Sequence, residues 1–479
     1  MSVLVANTYY YQYDQKQWDT AMPYPPLGTL YAASELRKAG YETTVFDNNL
    51  VADHSEIYTT LDSVKPTYVV LYDDGFNYLT KMCLTRMQEA TFDIIKKAKD
   101  QGSIVICNSS DSTDHFQAYH DKGADYIIHG EGEMALVELL STLESDGDLT
   151  VVNGISYTGK AGVTKNAKRQ VSKNLDELSY PKRDDIDIEA YRKIWQTQHQ
   201  TFALNIATTR GCPYKCNWCA KPIYGNRYNT RSPQDVINEI DYLITTYDVN
   251  YFWMCDDIFG LQPGWVQEFN DLKHARGLDF RYKIQSRADL MLKDDNLDAL
   301  ADSGADTIWL GAESGSQRIL DAMDKGTSVE QIYTATKKLK ARNVKVAFFL
   351  QFGYLTETWE EVQQTIDMVL DLMPDEIGIS VSYPLPGTKF YDKVKADLVM
   401  KSNWTDSDDL DMMFENTYPP AFYKVLHRYV HNRYRINKGI LRMKGKLKSR
   451  QDSLAKDIAR MVYHVPLGFI NRRKLESHL

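Results

Sequence analysis

Short apolar runs of strand length alternate with segments of helical period along most of this chain, and that alternation confines it to folds built on parallel sheets. In a first series, residues 3–6, 43–46, 68–72, 104–107 and 126–129 read as strands. Residues 27–39, 87–97, 117–122 and a segment opening at Gly130-Glu131-Gly132-Glu133 and running to about 143 read as helices. Gly40 suits the end of the first of these. A second series begins near 203, with strands at 204–208, 251–255, 280–285, 307–311, 344–352 and 376–382. Helical patterns lie between them, among them 233–247, with Ser232 at its N-cap and Pro233 in its first turn, and 358–372. The fold class is therefore α/β. The first series predicts a doubly wound, Rossmann-like sheet. Six strand–helix repeats fit a partial (βα)6 TIM barrel better than another open sheet, although periodicity alone does not decide between them. In barrels, chemistry gathers at the C-terminal ends of the strands.

The chain has 479 residues, and a prior of roughly 150 residues per domain gives two to four domains. The expected division is 1–150 for the first α/β domain, 151–197 for a linker with one possible hairpin strand at 154–157, 198–403 for the barrel, and 404–479 for a helical segment. That last segment is rich in Lys and Arg from Lys424 onward, yet the net charge is −9, so a chain-wide basic footprint for nucleic acid is absent. A solvated face, an anionic substrate, a lipid surface and a partner all remain open for the basic tail. No apolar stretch reaches membrane-spanning length, and the first residues do not read as an export signal. A cytoplasmic protein is expected.

Three of the six cysteines fall within eight residues, which points to metal rather than disulfides. They lie in Thr208-Thr209-Arg210-Gly211-Cys212-Pro213-Tyr214-Lys215-Cys216-Asn217-Trp218-Cys219, a C-x3-C-x2-C spacing directly after a candidate strand. Three thiolates can hold three irons of a cubane and leave the fourth iron open to a chelating small molecule. A fully ligated electron-transfer cluster needs another cysteine, for which Cys255 is the only late candidate. Structural zinc wants four ligands, and the loop holds no histidine. Gly211 and Pro213 suit a tight wrap, and Trp218 can shield metal from water. On these residues alone, zinc, a four-cysteine cluster and incidental cysteines stay open beside the open-iron reading.

The loop resembles the signature of the radical S-adenosylmethionine (SAM) superfamily, with Trp218 at the aromatic position before the last cysteine. The resemblance continues at the ends of later strands. These are Phe252-Trp253-Met254-Cys255-Asp256-Asp257, Gln285-Ser286-Arg287-Ala288, Gly311-Ala312-Glu313-Ser314-Gly315-Ser316-Gln317-Arg318 and Tyr383-Pro384-Leu385-Pro386-Gly387-Thr388. It implies a [4Fe–4S] cluster on Cys212, Cys216 and Cys219, with SAM on the open iron. It implies that Arg287 pairs with the SAM carboxylate, that Glu313 accepts from its amine or ribose hydroxyls, and that Tyr383 lies near adenine. Gln285 and Trp218 join this cofactor-binding set, and Asp256 and Asp257 are the catalytic candidates facing substrate. Ordinary readings stand beside these: a surface ion pair for Arg287, a helix-start carboxylate for Glu313, loop caps for the two aspartates and a proline turn at Tyr383. The implied chemistry is reductive cleavage of SAM to a 5′-deoxyadenosyl radical that abstracts hydrogen from a small-molecule substrate. The electron comes from a donor such as flavodoxin or ferredoxin.

The N-terminal region resembles the cobalamin-binding domain found upstream of many radical SAM domains. The resemblance rests on Pro25-Pro26-Leu27-Gly28-Thr29-Leu30-Tyr31-Ala32-Ala33, on Leu36-Arg37-Lys38-Ala39-Gly40-Tyr41, and on the closing Gly123-Ala124-Asp125-Tyr126 and Gly130-Glu131-Gly132-Glu133. It implies cobalamin as a further cofactor, with Gly28, Ser109, Ser110 and Gly130 as binding residues. The sequence departs from that family in lacking D-x-H-x-x-G, and in carrying Ile106-Cys107-Asn108-Ser109-Ser110-Asp111 where a glycine-rich G-G-x-H-x-T is usual. The segment Trp404-Thr405-Asp406-Ser407-Asp408-Asp409-Leu410, with Met412-Met413-Phe414 and Thr417-Tyr418-Pro419-Pro420, resembles the tail of the anaerobic magnesium-protoporphyrin monomethyl ester cyclase family. The reading is thus a cobalamin-type radical SAM enzyme acting on an unactivated carbon by methyl transfer or by oxidative or cyclising chemistry. The alternatives are a radical SAM enzyme whose N-terminal domain binds no cobalamin, and an iron–sulfur electron carrier or redox sensor.

Overall fold

A computed structural model describes the chain except for residues 78, 81–83, 161, 220–222, 399–403, 406–409, 411 and 446–452. The tail motif residues Asp406, Ser407, Asp408 and Asp409 therefore lie outside the described residues. The chain divides into two compact units, the first holding Met1–Tyr214, Ala220–Ile284 and Asn403–Asp409, the second Lys215–Cys219, Gln285–Ser402 and Leu410–Leu479.

In the first unit, strands β1 (Ser2–Ala6), β2 (Glu42–Phe46), β3 (Tyr68–Tyr72), β4 (Ile104–Asn108) and β5 (Tyr126–Ile128) form a parallel sheet in the order β2-β1-β3-β4-β5. Every residue of β3 is buried, which is why its sequence is a continuous apolar run rather than an alternation. The hairpin β6 (Ile155–Gly159) and β7 (Gly162–Lys165) extends the sheet antiparallel beyond β5. The core beneath it joins Val3, Val5, Leu36, Val70, Ile106 and Leu136. Strand order reverses between β1 and β3, the place where doubly wound sheets open a crevice beyond their strand ends. Within 151–197, read as a connection, the structure places this hairpin and most of a helix, Ile188–His199. The helix buries only Ile188, Tyr191 and Trp195. Two of these are anchored by polar tips, Tyr191 donating to Asp47 at 2.5 Å and Trp195 to the Pro23 carbonyl at 2.7 Å. That narrow face on a polar segment gives little periodic signal.

The barrel strands follow. In the first unit β8 (Leu204–Ile206) pairs in parallel with β11 (Tyr251–Met254), which pairs with β12 (Arg281–Ser286). The short ribbon β9 (Thr209–Arg210) and β10 (Asn229–Thr230) lies between β8 and β11 in sequence. In the second unit β13 (Ala305–Glu313), β14 (Lys345–Phe352) and β15 (Glu376–Val381) are parallel neighbours. All six expected barrel strands are present, with helices such as Pro233–Tyr247 and Trp359–Leu372 between them. The tail forms two helices, Pro420–Met443 and Leu454–Glu476, which pack on each other. Among the described residues no helix is long and apolar enough to cross a membrane.

A buried ionic group fixes the start of the barrel. Glu239 accepts from Arg183 at 3.2 Å and from Arg231 at 2.5 Å, and all three side chains are excluded from solvent. Burial alone would raise the Glu239 pKa, but Arg231 and Arg183 reverse that and hold it below the usual carboxylate range. The same two guanidinium groups donate to the carbonyls of Asn205 (2.6 Å) and Ala207 (3.0 Å), so the group pins the end of β8. Removing the shared anion takes from buried Arg183 the carboxylate it pairs with and leaves Arg231 with Asp235 alone. Glu239→Ala is expected to lower unfolding free energy by about 3–5 kcal/mol, read from the urea midpoint.

Candidate active site

The cysteine loop leaves the sheet just after β8. Asp256, at the end of β11, takes the peptide N–H groups of Thr208 (2.7 Å) and Thr209 (2.8 Å) and the Thr208 hydroxyl (2.5 Å). Burial pushes its pKa up to about 7 against those hydrogen bonds. The next residues pair with Asn229 and Thr230, and then Gly211 turns at φ +80°. A Cβ there would stand 2.4 Å from the Arg227 carbonyl oxygen, so only glycine permits the turn. Arg210, immediately before it, is buried with the rings of Tyr31, Phe76 and Tyr224 at 5.2–5.5 Å, and donates to Glu131 at 2.5 Å and to Glu133 at 2.8 Å. The acidic pair of Gly130-Glu131-Gly132-Glu133 is thus the counter-charge to the arginine that opens the loop.

In the second unit, Asn217 anchors the other half of the motif. Its backbone N–H donates to Met323 at 3.0 Å and its carbonyl accepts from Phe390 at 2.9 Å. Its side chain donates to the Ala322 carbonyl at 2.7 Å and accepts from the Tyr354 hydroxyl at 2.9 Å. Arg287, in the loop after β12, places Nη1 4.0 Å from the Cys216 sulfur while its Nε donates to Asp289 at 2.9 Å. Glu313 ends β13 at a break in strand register, with φ +57°, a left-handed conformation costly for a residue with a Cβ. It forms a buried ion pair with Lys325 at 2.8 Å. Burial works against the lysine's charge, but Glu313 and Cys216 beside it hold the Lys325 pKa above the ordinary lysine range. Gly311 makes room for this pair, since a Cβ there would stand 2.6 Å from the Lys325 nitrogen.

Two neighbouring strands carry further polar groups at their C-terminal ends. Gln351 on β14 and Ser382 just beyond β15 are buried, and neither the Gln351 amide nor the Ser382 hydroxyl has a hydrogen-bond partner among the described residues. Gln351 is in register with Ser380, two residues before Ser382, so all three side chains share one face. Buried polar groups left unpaired are what a bound polar ligand would satisfy. Trp218 meets Tyr383 edge to face at 6.5 Å, and its indole N–H is buried without a partner among the described residues. Gln285 is half-buried on β12, and Asp257 half-buried one residue past Asp256.

The residues expected to hold cobalamin have varied surroundings. Gly28 sits against the loop after β3, where a Cβ would come 3.0 Å from the Asp73 carbonyl oxygen, and its N–H donates to Asp74 at 3.0 Å. Gly130 turns at φ +80°. Ser109 caps the short helix Ser110–Asp114, its hydroxyl accepting from the Ser112 N–H at 2.8 Å. Ser110 is buried with its hydroxyl unpartnered among the described residues. Close by, Thr8, Asp73, Thr80, Ser109 and Asp111 line a cavity beyond the ends of β1, β3 and β4, at the switch point of the sheet.

No disulfide joins the described cysteines, and Cys212, Cys216 and Cys219 are each partly exposed. Among the described residues no three His, Cys, Asp or Glu side chains are grouped to take a single metal ion. A cubane instead takes its three thiolates on separate irons. Cys255, the conceivable fourth ligand, is buried among Leu27, Tyr31, Phe76 and Tyr224 and donates its thiol to the Ile206 carbonyl at 3.3 Å. Burial pushes its pKa well up, which opposes thiolate ligation.

Residues 206–369 match the family described as the radical SAM superfamily. The chain carries a radical SAM domain. Its cofactors are a [4Fe–4S] cluster and SAM, and the alternative of a simple electron carrier is set aside. The enzyme is 26% identical to an uncharacterised methyltransferase of Pyrococcus horikoshii, over 81% of this chain and 82% of that protein. It is 26% identical to the anaerobic magnesium-protoporphyrin IX monomethyl ester cyclase of Rubrivivax gelatinosus, over 78% of this chain and 66% of that one. Its fold is that of the cobalamin-dependent SAM radical enzyme OxsB, with TM-score 0.74 at 17% identity, over 99% of this chain and 80% of that one. The radical SAM methyltransferase TsrM of Kitasatospora setae aligns with TM-score 0.69 at 18% identity, over 82% and 74%. The α/β arrangement expected from the sequence is the one found.

Sequence reading did not single out Arg210, Asn217, Lys325, Gln351 or Ser382. For Arg210 a signal existed, a basic residue beside the cysteine motif and an acidic pair with no other role. For the other four none did. Because the loop depends on its left-handed turn, Gly211→Ala is expected to leave the far-ultraviolet circular dichroism unchanged while iron bound after anaerobic reconstitution falls several-fold.

Proposed function

We propose that this radical SAM enzyme functionalises an unactivated carbon of a small-molecule substrate, with cobalamin held beyond the ends of β1, β3 and β4, and that methyl transfer is its reaction. The observation carrying the site assignment is the set of fixed charges beside Cys216. Arg287 and Lys325 bring two cations there and Glu313 one anion. Such a set complements the zwitterionic amino-acid end of SAM, with the guanidinium suited to its carboxylate and Glu313 to its amine. Cys212, Cys216 and Cys219 would ligate the cluster, and their donor chemistry fits it. Trp218, Tyr383 and Gln285 would line the nucleoside side, where the unpartnered amide of Gln351 and hydroxyl of Ser382 supply polar contacts.

When bound, the cluster and SAM supply the electron and the carbon radical that take a hydrogen atom from substrate. The chain's own residues bind, orient and exclude water. Asp256 acts as a positioning residue, since its oxygens are engaged by Thr208 and Thr209. Asp257 is the member of the pair we assign to the substrate side. An electron donor of flavodoxin or ferredoxin type and a reducing compartment, the cytoplasm, suit three thiolates that must stay reduced.

For cobalamin, the polar lining of the switch-point cavity, Thr8, Asp73, Thr80, Ser109 and Asp111, fits a polar nucleotide tail, and cobalamin-bound proteins of the same fold favour the reading. Methyl transfer is favoured over cyclisation by the methyltransferase among the relatives and by the radical SAM methyltransferase of the same fold. Anaerobically reconstituted enzyme with dithionite and SAM is expected to yield 5′-deoxyadenosine or S-adenosylhomocysteine, and Cys216→Ala to abolish both; full turnover by that variant would remove the cluster assignment. After incubation with hydroxocobalamin and desalting, corrin absorbance is expected to remain with the protein. Its loss would leave a radical SAM enzyme whose N-terminal sheet binds no cobalamin, the reading that the self-capped Ser109 would then support.

A further inference from the structure

The last helix, Leu454–Glu476, is amphipathic in the reverse sense. The face it buries carries Asp457, His464, Gly468, Asn471 and Leu475. Its polar groups are met inside: Asp457 pairs with Arg442 at 3.0 Å, and His464 reaches Asn432 at 2.8 Å and Arg435 at 2.9 Å. Two glycines bring the helices close, since a Cβ on Gly439 would stand 2.6 Å from Met461 and one on Gly468 3.2 Å from Ile436. The helix is therefore seated by polar and small residues, and its rotation is fixed.

Several of its apolar side chains point outward, although Leu475 is buried and Ile458, Met461 and Leu467 are half-buried. Val462 is 61% exposed, Tyr463 66%, Phe469 68% and Ile470 50%. With Pro466 they occupy one stripe at helical spacing, opposite the packed face. A surface helix normally shows the opposite arrangement, and a contiguous exposed apolar stripe marks an interaction surface. Exposed basic residues stand around the stripe, Lys456, Arg460, Arg473 and Lys474, beside exposed Ala455 and Ala459. The helix's two acids add little negative charge, Asp457 being buried against Arg442 and Glu476 paired with Arg472 at 2.9 Å.

We infer that this face docks on the surface of an anionic lipid bilayer, the apolar stripe entering the headgroup–acyl boundary and the flanking cations meeting lipid phosphates. Apolar area with a basic rim is the combination that holds an interfacial helix, and Tyr463 suits the headgroup level. A second copy of the chain fits less well, because two-fold pairing of the stripes would bring like-charged rims together. The consequence is that the enzyme works at a membrane surface without spanning it.

The test uses the intact protein sedimented with vesicles. Retention is expected on phosphatidylcholine vesicles containing about three parts in ten phosphatidylglycerol, at least about tenfold above phosphatidylcholine alone, and falling as salt rises. Phe469→Glu with Ile470→Glu is expected to weaken that binding at least about tenfold. Lys456→Glu with Lys474→Glu should weaken it and erase the preference for anionic lipid. All four side chains are exposed, so thermal unfolding of both variants should match that of the parent chain. Equal binding to neutral vesicles, no binding to either, or undiminished binding by the variants overturns the inference. So does a self-associating chain that the Phe469→Glu, Ile470→Glu variant renders monomeric without any vesicle binding, since that assigns the stripe to a second copy.

Discussion

A loop with almost no regular structure can present thiols at fixed places only if its peptide groups are tied down by side chains from elsewhere. Here the ties are few and identifiable. Asp256 collects the two peptide N–H groups through which the chain enters the loop, and Asn217 uses backbone and side chain to fasten the part between Cys216 and Cys219. Neither residue need touch a cofactor to matter. Carboxylates and carboxamides suit the task because each offers several hydrogen-bonding positions from one short, stiff stem. The buried group of Arg183, Glu239 and Arg231 does the same for the strand before the loop, so Thr208 and Thr209 leave a fixed strand end.

Much of this was legible in the sequence. The strands of both α/β series announce themselves because parallel strands are buried on both faces and their apolar runs are continuous, as at Tyr68–Tyr72. The cysteine spacing names its chemistry because ligand geometry constrains spacing directly. What was hidden depends on contacts distant in sequence. Lys325 follows a short helix and looks like any surface lysine until the fold sets it 2.8 Å from Glu313. Gln351 sits in an apolar strand, where a lone amide reads as noise. Ile188–His199 was missed because three buried side chains among polar ones make a weak period. Asp256 and Ser109 were visible as polar residues at strand ends, but only the structure shows what their oxygens are engaged with.

Two ionic groups of the first unit handle buried charge in the same way. Arg210 lies among three aromatic rings with two glutamates as counter-charge, and Glu239 lies between two arginines. In each case the ion is retained because its partner and its hydrogen bonds are complete, the condition under which burial of charge is tolerated. Among the described residues the unpartnered buried groups include neutral ones at or beyond strand ends, Gln351, Ser382, Ser110 and the Trp218 indole, although the Arg183 Nε is buried without a partner too. An unsatisfied amide or hydroxyl is a modest penalty that a protein can carry while empty, whereas an unsatisfied charge is not.

That distinction gives the pair of Glu313 and Lys325 a particular meaning. The carboxylate is carried on a strained, left-handed residue and is already neutralised before any ligand arrives. An incoming zwitterion would therefore swap partners with the lysine instead of meeting a bare ion. Entry by exchange keeps the number of buried ion contacts nearly constant. The lysine answers the carboxylate from within the same unit, so the strained residue is held by an ion pair of the fold itself.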